Sequence, residues 1–375
     1  MAARGSLARL LVIATIGIAA GLPAAPAGAV ASDIQVVPTP ALARQAALTA
    51  VSFSSAADGW AVGRVGESLA APSDVDTLIE HWNGSSWTVS PTPAVDASDE
   101  TLTGVVALSG TDAWAVGRQD RYGYNDDLPL LLHWDGSGWS PAQAPSARIP
   151  TAIAGSAADD VWAVGTGVFQ HFDGVSWSVV AVPDSKAVIS SVTVLSATDA
   201  WAVGQKPVDK PGYDHTSHPY AAHWNGVAWR TVFVPHASTD ARLASVSASS
   251  AGDVWAVGSA FDRRTGDHGT YAQHFDGTRW RQVDIPDQGA SNGLTGVVAV
   301  SADAAYAVGH RDGQTSLGAV WRTVVQRWDG HSWTIMTSPN DTRSDNYLTS
   351  VSVVGSDMWA VGSDGGTLAV RAASG

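Results

Sequence analysis

Five aspartate–histidine pairs are the most regular set of titratable groups in this 375-residue chain. Asp58, Asp112, Asp160, Asp199 and Asp253 each stand two residues before a tryptophan, and His81, His133, His171, His223 and His274 each stand directly before an aromatic residue. A carboxylate that accepts an imidazole N–H fixes the ring's tautomer, as in general-base and metal sites. Here the pairs recur one per sequence repeat, and residues spread evenly through repeats cannot converge on one ion or one scissile bond. They are expected to be structural. His215-Thr216-Ser217-His218 is a weak metal pattern, and Asp126-Asp127 is an acid pair whose catalytic use depends on a spatial separation that sequence does not give. There is no Gly-x-Ser-x-Gly elbow, His-Glu-x-x-His helix or phosphate-binding glycine loop. With no cysteine in the chain, thiolate sites and disulfides are excluded. The expectation is no catalytic residue, no metal and no cofactor.

The pairs are carried by a repeat. Trp-Ala-Val-Gly occurs six times, with a seventh copy starting at tyrosine, and its aromatic residues are Trp60, Trp114, Trp162, Trp201, Trp255, Tyr306 and Trp359. Spacings of 54, 48, 39, 54, 51 and 53 residues mark a repeat architecture. An apolar run precedes each tetrapeptide, as in Leu102–Ser109. A second unit follows it, His81-Trp82-Asn83-Gly84-Ser85-Ser86-Trp87 in the first copy, and a short run then ends at proline. Such runs, bounded by Gly, Pro, Asn and Asp, read as four short strands a, b, c and d. The Asn/Asp-Gly between c and d signals a hairpin of the type I′ kind, and the acidic a–b turn suits an Asx turn with the carboxylate on a backbone N–H.

Four-stranded units repeated about every 50 residues predict an all-β, seven-bladed β-propeller of antiparallel blades. The seventh repeat supplies strands a, b and c (Leu348–Val354, Met358–Gly362, Thr367–Arg371) and then stops. Its missing strand d is expected at the other end of the chain, where Ile34-Gln35-Val36-Val37-Pro38-Thr39-Pro40 matches Trp87-Thr88-Val89-Ser90-Pro91-Thr92-Pro93. The ring then closes on its N-terminal strand, which also protects its edges. Residues 1–31 read as a secretory signal peptide, with Arg4 and Arg9, an apolar stretch from Leu10 to Leu22 and a small-residue cleavage site at Ala29-Val30-Ala31. Residues 32–375 form the single propeller domain, and the mature product is expected to be secreted, unanchored and monomeric.

The formal charge of −14 becomes −16 without the two leader arginines. So acidic a chain repels phosphate backbones and anionic membranes, and neither nucleic acid nor membrane is expected as a partner. Of 17 tryptophans, only Trp321 lies off the repeat positions. Tryptophan faces can stack on sugars, but aromatics at one strand position in every repeat are expected to pack between blades. Repeat six departs as a set: its acid shifts to Asp303 and its histidine becomes Arg327.

Specificity is expected where the repeats differ, on the face carrying the b–c loops and d–a links. Blade three has almost no b–c loop, whereas blade four has a long one, Gln205 to Pro219. Candidate ligand-binding residues there are Arg118, Arg121, Tyr122, Tyr124 and Asp126 in blade two, Tyr213, His215 and His218 in blade four, Arg263 and Arg264 in blade five, and His310 and Trp321 in blade six.

With its Trp-Ala-Val-Gly and His-Trp-Asn-Gly-x-x-Trp units the chain resembles secreted repeat propellers of actinomycetes. More broadly it resembles kelch, galactose-oxidase-like and tectonin-type lectin propellers. The resemblance covers the mature chain and implies fold only. Galactose oxidases need a cysteine cross-linked to tyrosine beside copper, and this chain has no cysteine. The kelch glycine doublet is replaced by Ala-Val-Gly. Asp135-Gly136-Ser137-Gly138-Trp139 lacks the residue that an Asp-box has between Asp and Gly. The resulting expectation is a secreted, non-catalytic binding module for a glycan or an extracellular protein. The alternatives are a propeller enzyme and a scaffold without small ligands.

Overall fold

The computed structural model describes residues 34–67, 75–93, 99–120, 127–210, 213–236, 240–262, 264–289, 291–315, 318–340 and 344–373, apart from the side chains of 67, 209–210, 213–215 and 314–315. Residues 1–31, read from the sequence as a signal peptide, lie outside them. Among the described residues every regular element is a strand. After β1 (Gln35–Val37), blade 1 contains β2 (Gln45–Ser55), β3 (Asp58–Glu67), β4 (Asp76–Trp82) and β5 (Trp87–Val89). Blade 2 contains β6 (Asp99–Ser109), β7 (Asp112–Asp120), β8 (Asp127–Trp134) and β9 (Trp139–Pro141). Blade 3 contains β10 (Ala152–Ala157), β11 (Asp160–Gly165), β12 (Val168–Phe172) and β13 (Trp177–Val180). Blade 4 contains β14 (Val188–Ser196), β15 (Asp199–Lys210), β16 (Tyr213–Trp224) and β17 (Trp229–Val232). Blade 5 contains β18 (Ala241–Ser250), β19 (Asp253–Asp262), β20 (Asp267–Phe275) and β21 (Trp280–Val283). Blade 6 contains β22 (Asn292–Ser301), β23 (Ala304–Thr315), β24 (Gly318–Trp328) and β25 (Trp333–Met336). Blade 7 contains β26 (Tyr347–Val354), β27 (Asp357–Ser363) and β28 (Thr367–Ala373).

Each blade is one antiparallel four-stranded sheet, and β1 supplies the fourth strand of blade 7. Gln35, Val36 and Val37 pair with Arg371, Val370 and Ala369. Only three residue pairs hold this closing strand, so side chains at the join must hold it too.

The tetrapeptide glycine is explained by a close approach. A Cβ on Gly63 would lie 2.0 Å from the Ala47 carbonyl oxygen, and equivalents at Gly117, Gly204, Gly258, Gly309 and Gly362 would come within 1.9–2.0 Å of strand a. There strand a bulges, with shifts between Leu48 and Ala50 in blade 1 and between Leu102 and Gly104 in blade 2. Only glycine lets strand b pass so near. The bulge frees Thr49, whose hydroxyl donates to Val62 of its own blade and to Leu102 of the next, at 3.0 and 2.7 Å. Thr151, Thr295 and Thr349 repeat this stitch.

Strand b aromatics fill the seams between blades. Trp60 packs on Trp134 and Trp139 of blade 2, with ring centroids 4.8 and 5.0 Å apart. Trp162, Trp201 and Trp255 make the same pair of contacts with the following blade, and Trp359 closes the set on Trp82 and Trp87 of blade 1. Trp114 packs on Phe172 and Trp177. The seam between blades 6 and 7 is built differently. There Tyr306 sits among Ile34, Met358, Val370 and Ala372, because β1 brings an isoleucine where other blades bring tryptophan.

Two turn expectations are corrected. The c–d hairpin has four residues between its paired tryptophans, Trp82 and Trp87, so it is no two-residue type I′ turn. Asn83 Oδ1 accepts the N–H groups of Ser85 and Ser86, both at 3.0 Å, while Gly84 takes φ 91°. The Asx geometry therefore belongs to this turn. The a–b turn carboxylate of Asp58 instead receives side-chain donors, Ser54 and His81.

Candidate functional site

The five Asp–His pairs all form. Histidine Nε2 donates to aspartate Oδ1 at 2.7 Å (His81–Asp58), 3.0 Å (His133–Asp112), 2.9 Å (His171–Asp160), 2.8 Å (His223–Asp199) and 2.6 Å (His274–Asp253). Each ring lies 4.1–4.5 Å from the strand b tryptophan of its own blade. Asp160 also accepts Ser156 at 2.5 Å, and Asp253 accepts Ser249. Burial pushes Asp160 and Asp253 up, but the histidine and serine hydrogen bonds outweigh it and hold both below the usual carboxylate range. These serine, aspartate and histidine residues are not a nucleophilic triad. In a triad the imidazole bridges serine and acid, whereas here the acid bridges serine and imidazole, so nothing removes the serine proton.

Blades 6 and 7 replace the imidazole. Arg371 of β28 pairs with Asp357 at 2.5 Å and lies 5.3 Å from the Trp359 ring centre. Sequence reading missed this pair because blade 7 ends without the His-Trp-Asn-Gly signature. Asp303 and Arg327 of blade 6 form no ion pair.

On the opposite face the expected long loop of blade 4 is instead a strand extension, and the b–c connection of blade 6 is one too. β15 and β16 stay paired through Lys206–His218, Pro207–Ser217 and Val208–Thr216, and β23 and β24 pair out to Thr315 and Gly318. Charged and proline-rich residues disguise the pairing in sequence, but the ladder begun in the ring propagates outward. Prolines are tolerated because β15 has no partner on its other side beyond Gln205.

The candidate residues do not meet at one point. Arg118 in β7 pairs with Asp127 at 2.9 Å, and exposed Arg264 lies 3.6 Å from Asp262. His218 stands 4.1 Å, ring to ring, from His236. His310 meets Trp321 edge-on at 4.7 Å and 77°. Burial, helped by the positive charge of Arg242, makes His310 harder to protonate than an ordinary histidine. Tyr213 and His215 lie on β16, their side chains outside the described residues, as are Arg121, Tyr122, Tyr124, Asp126 and Arg263.

Two cavities stand out. The axial channel, about 380 Å³, is lined by strand a of every blade with Thr, Ser, Val, Ala, Gly and Ile, and carries no charged side chain. A cleft of about 320 Å³ opens between the hairpins of blades 4 and 5. Gln205 and Ser217 line one wall, and Asp240, Arg242, Phe261 and His268 the other. Arg242 Nε donates to Ser259 at 2.9 Å, Ser217 donates to Asp240 at 3.2 Å, and Phe261 and His268 stack at 4.7 Å. Asp240, Arg242 and Phe261 had no repeat signal beyond their departure from it. Among the described residues no three His, Cys, Asp or Glu side chains gather as a metal site.

The sequence matches no family model and no curated protein. Solved structures match in fold. YCF48 bound to D1 peptide is 15% identical, with a TM-score of 0.58 over 91% of this chain and 96% of that one. The RRP9 WD40 repeats are 9% identical, with a TM-score of 0.58 over 92% and 99%. The GH74 xyloglucanase from Xanthomonas campestris is 14% identical, with a TM-score of 0.57 over 90% of this chain and 53% of that one. The chain is a seven-bladed β-propeller. At these identities the likeness is one of fold alone.

Proposed function

We propose that this propeller is a secreted, non-catalytic binding module that holds a segment of a partner protein in the cleft between blades 4 and 5. The observation that carries this is the pair of strand extensions β15–β16 and β19–β20. They raise rigid walls above the ring around fixed polar groups and an aromatic pair. Sites on extended strands are better ordered than sites on open loops. Asp240, just before β18, and Arg242 within it offer an acceptor and a donor two residues apart, which suits the alternating amide groups of an extended polypeptide. A similar fold that holds a peptide, YCF48, supports the choice of ligand class. The reading includes cleavage of residues 1–31, a monomeric mature domain 32–375 and kinship with the secreted Trp-Ala-Val-Gly propellers of actinomycetes.

The test is selection of displayed random peptides on residues 32–375, followed by affinity measurement with Phe261→Ala and Arg242→Gln. Peptides that lose at least tenfold in affinity to both variants are expected. Selected peptides indifferent to both, or enrichment of glycans and no peptide in a parallel glycan-array screen, would overturn the reading.

A further inference from the structure

One strand c position is not held constant from seam to seam. It faces the preceding blade and holds Glu80, Leu132, Gln170, Ala222, Gln273, Gln326 and Val370 in blades 1 to 7. In blades 5 and 6 the glutamine spans the seam. Gln273 Nε2 donates to the Pro235 carbonyl and Gln326 Nε2 to the Pro286 carbonyl, both at 2.8 Å. Pro235 and Pro286 each stand six residues after the strand d tryptophan, and the matching proline on the N-terminal strand, six after Ile34, is Pro40. Blade 1 faces that strand with an acid. Glu80 is 0% exposed, between Leu78 and Trp82, and neither carboxyl oxygen receives a well-formed hydrogen bond, the Thr367 hydroxyl beside it being turned to Thr39. Gln170 is also buried without a partner, but an amide stays neutral there. An isolated carboxylate is strongly disfavoured in such a place, and such a group neutralises instead.

We propose that Glu80 is a proton-operated latch on ring closure. As the neutral acid it donates across the seam to Pro40, as Gln273 and Gln326 do to their prolines; as the carboxylate it loosens the N-terminal strand from blade 7. The join is suited to this because β1 is held by three residue pairs, as β5 and β9 are, but unlike them no turn ties it to its strand c, so side chains at the seam weigh heavily.

The environment agrees. Burial pushes Glu80 up to about 7, and the Thr367 hydroxyl opposes this only partly, since it donates to Thr39 Oγ1 at 2.8 Å. On β4 and the N-terminal segment the charged groups are Asp76 and Arg44, which pair with each other. On β27 and β28 they are Asp357 and Arg371, also paired, and on β3 Asp58, held by His81, with Arg64 toward the far end. None of them contributes to the shift at Glu80. Because the folded value lies above the unfolded one, the closed seam holds the proton better than the open one. Opening therefore becomes easier from about pH 4.5 upward and levels off above about 7.

The test is amide hydrogen exchange of segments 34–43 and 367–373 in residues 32–375, wild type against Glu80→Gln, from pH 5 to pH 8.5. Comparison at each pH cancels intrinsic exchange. The wild-type to variant ratio of seam opening should rise on the order of a hundredfold and plateau above pH 7, while segments around Gln326 stay unchanged. A ratio flat with pH, or one that changes equally at the Gln326 seam, overturns the latch. Should Glu80→Gln fail to fold, carbon-13 titration of the Glu80 carboxyl in the wild type decides. A midpoint near 7 supports the proposal, and one near the ordinary 4.5 overturns it.

Discussion

The two faces of the ring are built by opposite rules. The face of the a–b and c–d turns repeats one device, in which Asp–His pairs rest on tryptophan, and a strand c tryptophan donates to the a–b turn, as Trp82 does to Ala56 at 3.1 Å. The face of the hairpins repeats nothing. β11 and β12 turn back at once through Thr166 and Gly167, whereas β15 and β16 pair out to Lys210 and Tyr213. Repetition marks groups that serve the chain's own packing, and its failure marks groups free to serve a partner. Stability is expected to reside in the seams and the turn face and, on the proposed function, recognition in the hairpins.

The largest effect is expected in a seam. Trp255 is fully buried and touches His274, Trp328 and Trp333. Trp255→Ala should cost about 3–5 kcal/mol of unfolding free energy, read from the denaturant midpoint. A loss below about 1 kcal/mol would remove the seams from the account.

The Asp–His turn comes next, with a defined pH dependence. His171→Ala strips the buried Asp160 of its imidazole donor and should cost about 1–3 kcal/mol at neutral pH. The sign follows from Asp160 being held below its unfolded value despite burial. Its contribution is full above the unfolded pKa and is lost as pH falls through the lower folded one. Wild type and Asp160→Asn should therefore converge in stability on acidification. A gap that widens in acid would contradict the assignment.

Arg371→Leu tests whether blade 7 uses the same device with different chemistry. Its pair with Asp357 is part-exposed, so the expected loss is at most about 1 kcal/mol, and addition of salt should shrink it. A salt-independent loss of 3 kcal/mol would mean that the cation–π contact with Trp359, not the ion pair, holds that turn.

How much of this the sequence disclosed follows the same division. Repeated residues were legible because seven copies average out local accident: Trp60 and its counterparts, the His81-type histidines and the match of Ile34 to Trp87 all declare themselves by position. Turn chemistry was half legible. Asn83-Gly84 signals a hairpin in any reading, but whether its side chain or that of Asp58 caps backbone N–H groups depends on whether His81 competes for the acid. The exceptions were hidden. Glu80 is one letter from the Gln273 and Gln326 equivalents, and only the seam shows that it faces the N-terminal strand. Arg242 and Phe261 follow no period, so nothing but the cleft brings them together with Gln205 and Ser217.

The smallest effect on stability should come from the hairpins, and that is what makes it informative. Residues 207–216 extend β15 and β16 beyond the last pair with β14, Val188–Gln205, so their described backbone pairs within the hairpin alone. Replacing them with the Thr-Gly turn that blade 3 uses between β11 and β12 should leave the denaturant midpoint within about 0.5 kcal/mol. It removes Pro207 and Thr216 from the cleft wall, while Asp240, Arg242 and Phe261 of blade 5 remain. Peptide affinity should then fall at least tenfold with stability unchanged. If both fall together, the extension is part of the ring's own packing and the division between the two faces does not hold. If neither falls, recognition lies elsewhere on the hairpin face, with His310 and Trp321 of blade 6 the next residues to substitute.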